Sequence, residues 1–245
     1  MTEKKFDEEL SEKLVAAEEN LKRVREQMAQ AEQRAGKKPG EVILLAATKT
    51  VAPEVINRVI ALGVDHIGEN RVQELCAKFD SLELSHCEAQ MIGHLQTNKV
   101  RQVADKVNTI QSVDSIRLAQ EISRVCVKLG KTMNILVEVN IGGEENKSGI
   151  CPEGAWELCC AAAELPGIHV GGLMTIPPVC ETEEQARGYF SKMNQLFVDM
   201  KGKKHDNITM DCLSMGMSGD FEAAILEGAT MVRVGSAIFG KRIYF

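Results

Sequence analysis

No cysteine of this chain stands in a C-x-x-C pair, and none has a histidine partner at finger-like spacing. The eight present, Cys76, Cys87, Cys126, Cys151, Cys159, Cys160, Cys180 and Cys212, lie in strand-like and helix-like patterns. A free thiol packs there as a small hydrophobe, so reduced, structural cysteines and a cytoplasmic protein are expected over a redox or metal site. No stretch approaches the ~20 consecutive apolar residues of a membrane span. The charged N-terminus also lacks the apolar segment of a secretory signal. Positive charge is not in excess: 29 Lys+Arg face 35 Asp+Glu, a net charge of −6. That argues against bulk binding to nucleic acid or to an anionic membrane. No G-x-G-x-x-G follows a candidate strand, so a dinucleotide-binding sheet loses support.

What is present is an ordinary globular composition over 245 residues, 44% hydrophobic and 26% charged. The length suits one barrel-sized domain spanning residues 1–245. Near the N-terminus, Leu10, Leu14, Ala17, Leu21, Val24, Met28, Ala31 and Ala35 alternate at spacings of four and three. This stripe predicts a helix over residues 5–36, stopped by Gly36 and Pro39. The stripe suits either a coiled-coil seam or packing on the main domain, and its alanines favour packing.

Beyond Gly40 the period switches repeatedly. Strand-like runs cover 42–48, 64–68, 89–92, 107–113, 134–141, 168–176, 208–214 and 231–239, with helical candidates at 53–62, 114–129, 152–164, 181–201 and 218–227. Gly63, Gly130, Gly167, Gly202 and Gly228 stop or follow these helices. Strands alternating with helices imply parallel pairing through right-handed crossovers. Eight such strands predict an α/β fold, a (β/α)8 TIM barrel, with a doubly wound open sheet as the runner-up.

In such a barrel the C-terminal strand ends form the active site. The first strand ends Thr48-Lys49-Thr50 after an uncharged run. Lys49 there is either a partly desolvated amine able to attack an aldehyde or a rim lysine snorkelling to water. The second strand ends Gly68-Glu69-Asn70-Arg71, and the third leads into His94, which by itself reads more simply as a structural or surface histidine. The fifth enters a polar loop with Asn140, Glu144 and Lys147, and glycines in the sixth permit close backbone approach.

The last two strands say most. Strand seven runs into Leu213-Ser214-Met215-Gly216-Met217-Ser218, and strand eight reads Met231-Val232-Arg233-Val234-Gly235-Ser236. Loops in these two places bind phosphate in many barrels, through backbone N–H groups and a helix N-terminus. Arg233, inside an apolar strand, must find an acceptor, either a structural carboxylate or a ligand. An amine for an aldehyde, a Gly/Ser cradle for a phosphate and a cation for a ring nitrogen together suit pyridoxal 5′-phosphate. An arginine donating to that nitrogen keeps it unprotonated and weakens the ring as an electron sink.

Several segments, in order, resemble the YggS/PROSC family of pyridoxal-phosphate-binding proteins. They are Ala47-Thr48-Lys49-Thr50, Gly68-Glu69-Asn70, Ile92 to Lys99, Asn140 to Gly149, Gly172-Leu173-Met174, Leu213 to Ser218 and Val232 to Gly240. The resemblance implies a fold-type III pyridoxal-phosphate barrel, like the N-terminal domain of alanine racemase. It implies Lys49 as the Schiff-base lysine, phosphate contacts from Ser214, Gly216, Gly235 and Ser236, and Arg233 at the pyridine nitrogen. Met215 joins that cofactor-binding set, and Asn70 falls near the 3′-oxygen side of the ring. The family usually has an aromatic residue and a histidine where this chain has Ala89 and Gln90.

The expected role is cofactor homeostasis: buffering, carrying or delivering pyridoxal phosphate, without catalysis. Pyridoxal-phosphate-dependent apo-enzymes are the expected partners, and a monomer is the expected state. A racemase needs a second acid/base opposite the lysine, a tyrosine in the alanine racemases. This chain's tyrosines are Tyr189, in a helix candidate, and Tyr244, beside the C-terminus. A racemase-like enzyme is the alternative, and a Schiff-base aldolase acting on a phosphorylated substrate is a third class.

Overall fold

A computed structural model describes residues 3–240. Eight parallel strands close into a barrel in sequence order: β1 (Ile43–Ala47), β2 (His66–Glu69), β3 (Glu88–Met91), β4 (Thr109–Val113), β5 (Met133–Glu138), β6 (Ile168–Met174), β7 (Ile208–Ser214) and β8 (Met231–Val234). Around it run α2 (Pro53–Ala61), α3 (Val72–Lys78), α4 (Val100–Val103), α5 (Ile116–Leu129), α6 (Ala155–Ala163), α7 (Glu183–Lys201), α8 (Phe221–Leu226) and the single turn α9 (Ser236–Phe239). The closed barrel rules out the open sheet. Helices α3 and α4, seven and four residues long, are too short to leave a periodic signal and were not expected from sequence.

The eighth strand is shorter than the run at 231–239 predicts. At Gly235 the backbone leaves the extended region (φ −119°, ψ −77°), and Ile238 and Phe239 donate to its carbonyl, each at 2.9 Å. The apolar residues after it therefore belong to α9. The fifth and sixth strands also stop early, at Glu138 and Met174, releasing polar and Pro-rich loops at the mouth.

The two-residue strand period sorts side chains between two cores. Ala46, Ile67, Ile135, Val137 and Val232 point outward and join the helices in the main core. Leu45, Ala47, Ile92 and Met231 form a separate cluster with Cys212 inside the barrel. Leu45 pairs with Arg233, and Ser214 with Met231, so Arg233 and Ser214 share that interior. Gly172 lets β6 and β7 approach: its φ is +155°, and a Cβ would fall 1.9 Å from the carbonyl oxygen of Cys212.

Helix α1 (Glu3–Arg34) lies across α2, α8 and α9. Its stripe of Ala17, Leu21, Val24, Met28 and Ala31 is buried within the chain. Polar bonds fix the dock. Asn20 Nδ2 donates to the carbonyl of Ile238 at 3.0 Å, and Arg25 donates to the carbonyls of Leu62 and Gly63, each at 2.8 Å. Buried Glu32 accepts from the N–H groups of Gly40 and Val42 at 2.9 and 2.7 Å, satisfying the backbone that leads into β1. All eight cysteines are free, and no helix among the described residues is long and apolar enough to cross a membrane.

Candidate functional site

Lys49 follows β1 at the C-terminal mouth, half-buried, in the turn that leads from the strand towards α2. Among the described residues its ammonium makes no hydrogen bond or ion pair. Lys78 nearby is the opposite case. It is 7% exposed, lies 2.5 Å from Glu69 Oε1 and donates to the carbonyl of Thr48 at 2.9 Å. Of the two amines, only Lys78 is engaged among the described residues.

Arg233 is buried in the barrel. Its guanidinium donates to Ser214 Oγ at 2.7 Å and to the carbonyl of Thr175 at 2.9 Å. No carboxylate lies within ion-pair distance among the described residues, so the carboxylate partner weighed from sequence is not there. Burial pushes the Arg233 pKa down to about 10, opposed by the fields of Glu138 and Asp220. The group stays charged at neutral pH.

Ser214 is fully buried, and its hydroxyl is committed. It accepts from Arg233 and donates to Gln111 Oε1 at 2.7 Å, while Gln111 Nε2 donates to Gln90 Oε1 at 2.6 Å. This chain of polar groups crosses the barrel beneath the mouth. Gln90, at the position of the family's usual histidine, is its far end, and Ala89 faces the outer core.

The cradle stands beside Arg233. Gly216 is held at φ +91°, a conformation suited to glycine, and a Cβ there would lie 2.5 Å from that of Ala224. Its carbonyl accepts from Arg233 N–H at 3.0 Å, and buried Met215 donates from its N–H to Met231 at 3.1 Å. The N–H groups of Gly235 and Ala237 both point at Ser218 Oγ, at 3.0 and 3.2 Å. Two backbone donors converging on one oxygen is the geometry an anion requires. Ser236 is exposed beside them. A cleft of about 1130 Å³ opens onto Ser218, Ser236 and Ala237, with Ile176, Pro177 and Arg23 among its other walls.

Several groups at the mouth were not singled out from sequence. Glu138 ends β5, 6% exposed, with a carboxylate that makes no hydrogen bond among the described residues. Burial, helped by Asp114 and opposed by Arg233, pushes its pKa up to about 7. The sequence reading gives Ser218 no role of its own. Asn70, expected near the ring, is half-buried with Oδ1 unpartnered. His94 is mostly exposed, its Nδ1 3.9 Å from Asp114 Oδ2. Tyr189 lies on α7 in the outer helix layer, over Lys192, and Tyr244 lies outside the described residues.

This set of groups fits pyridoxal 5′-phosphate: an amine without a partner among the described residues, a converging N–H pair capped by the Ser218 hydroxyl that an anion would have to displace or join, and a cation with no carboxylate at ion-pair distance among those residues. Comparison with known proteins agrees. Residues 14–242 match the family described as alanine racemase, N-terminal domain. A protein of Aquifex aeolicus named pyridoxal phosphate homeostasis protein is 46% identical over 92% of this chain and 98% of its own. Its Escherichia coli K12 namesake is 40% identical, over 92% of this chain and 96% of its own. The solved structure of PipY from Synechococcus elongatus PCC7942, with PLP bound, superposes with a TM-score of 0.76 at 30% identity. It covers 89% of this chain and 100% of that one.

Proposed function

Because this chain belongs to the family of pyridoxal phosphate homeostasis proteins, we propose that it binds pyridoxal 5′-phosphate at the barrel mouth and serves to hold, carry or deliver it. What supports this reading is that Lys49 follows β1, the strand paired with β8, so that it, Arg233 and the Gly235 loop lie at neighbouring strand ends. When bound, the cofactor supplies an aldehyde that condenses with an amine, losing water, and a ring that withdraws electrons.

Lys49 holds the cofactor covalently. Gly216, Gly235 and Ser236, with Ser218, hold the phosphate, and Met215 and Ser214 support them from behind. Ser214 acts here through Arg233, because its hydroxyl is already committed to that guanidinium and to Gln111. Arg233 would donate from its own N–H to the ring nitrogen, which would leave the ring a poor electron sink. Asn70, whose Oδ1 is unpartnered among the described residues, would serve the 3′-oxygen side.

The same features support a carrier over an amino-acid racemase. Tyr189, the tyrosine among the described residues, lies on α7 in the outer helix layer, and an open mouth does not shield a carbanion from water. Apo-enzymes that need the cofactor are the natural recipients, with this chain acting as a monomer. The free cysteines support a reducing, cytoplasmic setting.

The test is an absorbance spectrum of the purified protein before and after borohydride, followed by peptide mass mapping. A band near ~420 nm that reduces onto Lys49 is expected. A colourless protein that takes up no added cofactor overturns the assignment and brings the aldolase reading forward. Turnover in a racemisation assay overturns the carrier reading.

A further inference from the structure

The turn that carries Lys49 is gripped from one side. Lys78, the last residue of α3, donates to the carbonyl of Thr48 at 2.9 Å and reaches that of Val51 at 3.4 Å. The same ammonium lies 2.5 Å from Glu69 Oε1, and the Thr48 hydroxyl donates to that oxygen as well. One turn earlier on α3, Glu74 Oε2 accepts from the N–H of Thr50 at 2.7 Å. Both neighbours of Lys49 are thus tied to β2 and α3, while its own side chain makes no hydrogen bond or ion pair among the described residues.

Thr50 needs the restraint. Its φ is +62°, and a β-branched residue is strained there unless its surroundings hold it. The grip is also incompletely satisfied. Glu69 Oε2 is buried with no partner, and burial raises the Glu69 pKa despite the neighbouring ammonium. A buried pair of this kind is poor value as pure core, where apolar residues of similar volume serve as well or better. What sets it apart is its place, because both members meet Thr48, one residue before Lys49.

We infer that Lys78 and Glu69 are positioning residues for Lys49: they fix the turn from Thr48 to Val51 so that the amine stands at the mouth for covalent capture of the cofactor, an inference that rests on the cofactor reading above. Neither touches the cofactor. Their effect falls on the rate and extent of attachment, leaving recognition of the phosphate to the cradle after β7 and β8, whose backbone neither of them contacts through a hydrogen bond among the described residues.

The test compares Lys78→Met and Thr48→Val with Lys78→Arg, which keeps a cation able to reach both carbonyl and carboxylate. Each full-length variant is prepared free of cofactor, and its folding is checked by circular dichroism. It is then titrated with pyridoxal 5′-phosphate, with attachment read by borohydride trapping on Lys49. A second titration uses pyridoxamine 5′-phosphate, which has the phosphate but no aldehyde. Lys78→Met and Thr48→Val are expected to slow trapping by about tenfold or more, since small displacements of a reacting group are costly. Pyridoxamine phosphate affinity stays at the wild-type value, and Lys78→Arg recovers most of the trapping rate.

Trapping at the wild-type rate in folded Lys78→Met overturns the inference. If that variant does not fold, the same result in Thr48→Val overturns it. Equal loss of both ligands also overturns it, because general disruption would not spare the cradle. A wild-type chain that takes no label on Lys49 overturns the cofactor reading itself.

Discussion

The guanidinium of Arg233 rests on the hydroxyl of Ser214, 2.7 Å away, and not on a carboxylate. Ser214 donates its own hydrogen bond to Gln111 Oε1, so the cation sits on a chain of neutral dipoles. No carboxylate is bonded to Arg233 among the described residues, and the fields of Glu138 and Asp220 reach it only from beyond ion-pair distance. Replacing it by glutamine keeps a donor for Ser214 and removes the charge. Arg233→Gln is expected to retain bound cofactor while moving its absorbance band and the pH dependence of that band. An unchanged spectrum would assign Arg233 a purely structural role.

Lys49→Ala removes an amine at the mouth that no group engages among the described residues. The variant is expected to lose the band near ~420 nm and the borohydride label, while the cradle still binds the cofactor more weakly. Isothermal titration with pyridoxal 5′-phosphate and with inorganic phosphate measures the residual affinity. Retention of a label on any other lysine would contradict the availability argument that separates Lys49 from Lys78.

Glu138 makes stability depend on pH. Its folded pKa of about 7 lies above the ordinary 4.5, so the folded chain holds this proton more tightly than the unfolded one. Its contribution is greatest below pH 4.5, falls as pH rises towards 7, and stays low above that. Glu138→Gln should therefore be more stable than wild type at pH 8, by up to about 3 kcal/mol, with the gap closing by pH 4. Glu69 shifts in the same direction, so the difference between the two proteins, and not either curve alone, isolates Glu138. Chemical denaturation across that range reads it.

Leu21 is 1% exposed between α1 and the barrel. Leu21→Ala leaves a cavity there, at a cost of about 2–5 kcal/mol. For a chain of this size that lowers Tm by roughly 5–15 °C. A loss no larger than that of an exposed control such as Val15→Ala would mean that α1 is not docked on the barrel through this stripe.

Much of the barrel is legible in local patterns. Each apolar run holds a strand, and glycines punctuate the helices, with Gly63 and Gly130 at positive φ just beyond α2 and α5. The strand ends then locate Lys49, Arg233 and the Gly/Ser loops without any coordinates. What escapes this reading is short or distant. Helix α4 has only four residues, too few for a period to show. Ser218 meets Gly235 from 17 residues away, and Ser214 meets Gln111 across 103. Glu138 reads locally as the end of a strand, and only the enclosing walls make it a titrating group near neutrality.

The sequence by itself determined the alternation of strands and helices, the amphipathic stripe of α1 and the residue types at each strand's C-terminal end. These depend on periods of two and 3.6 and on the backbone preferences of glycine and proline, all properties of a few consecutive residues. Only the tertiary structure decided which side chains are spent and which are free. Lys78 is consumed by Glu69 and Thr48 while Lys49 is not, and Ser214 supports Arg233 while the N–H groups of Gly235 and Ala237 converge elsewhere. Closing the barrel brings residues far apart in sequence within hydrogen-bond range and removes the water that would otherwise satisfy them. Whether a polar group is committed or available is settled by that closure.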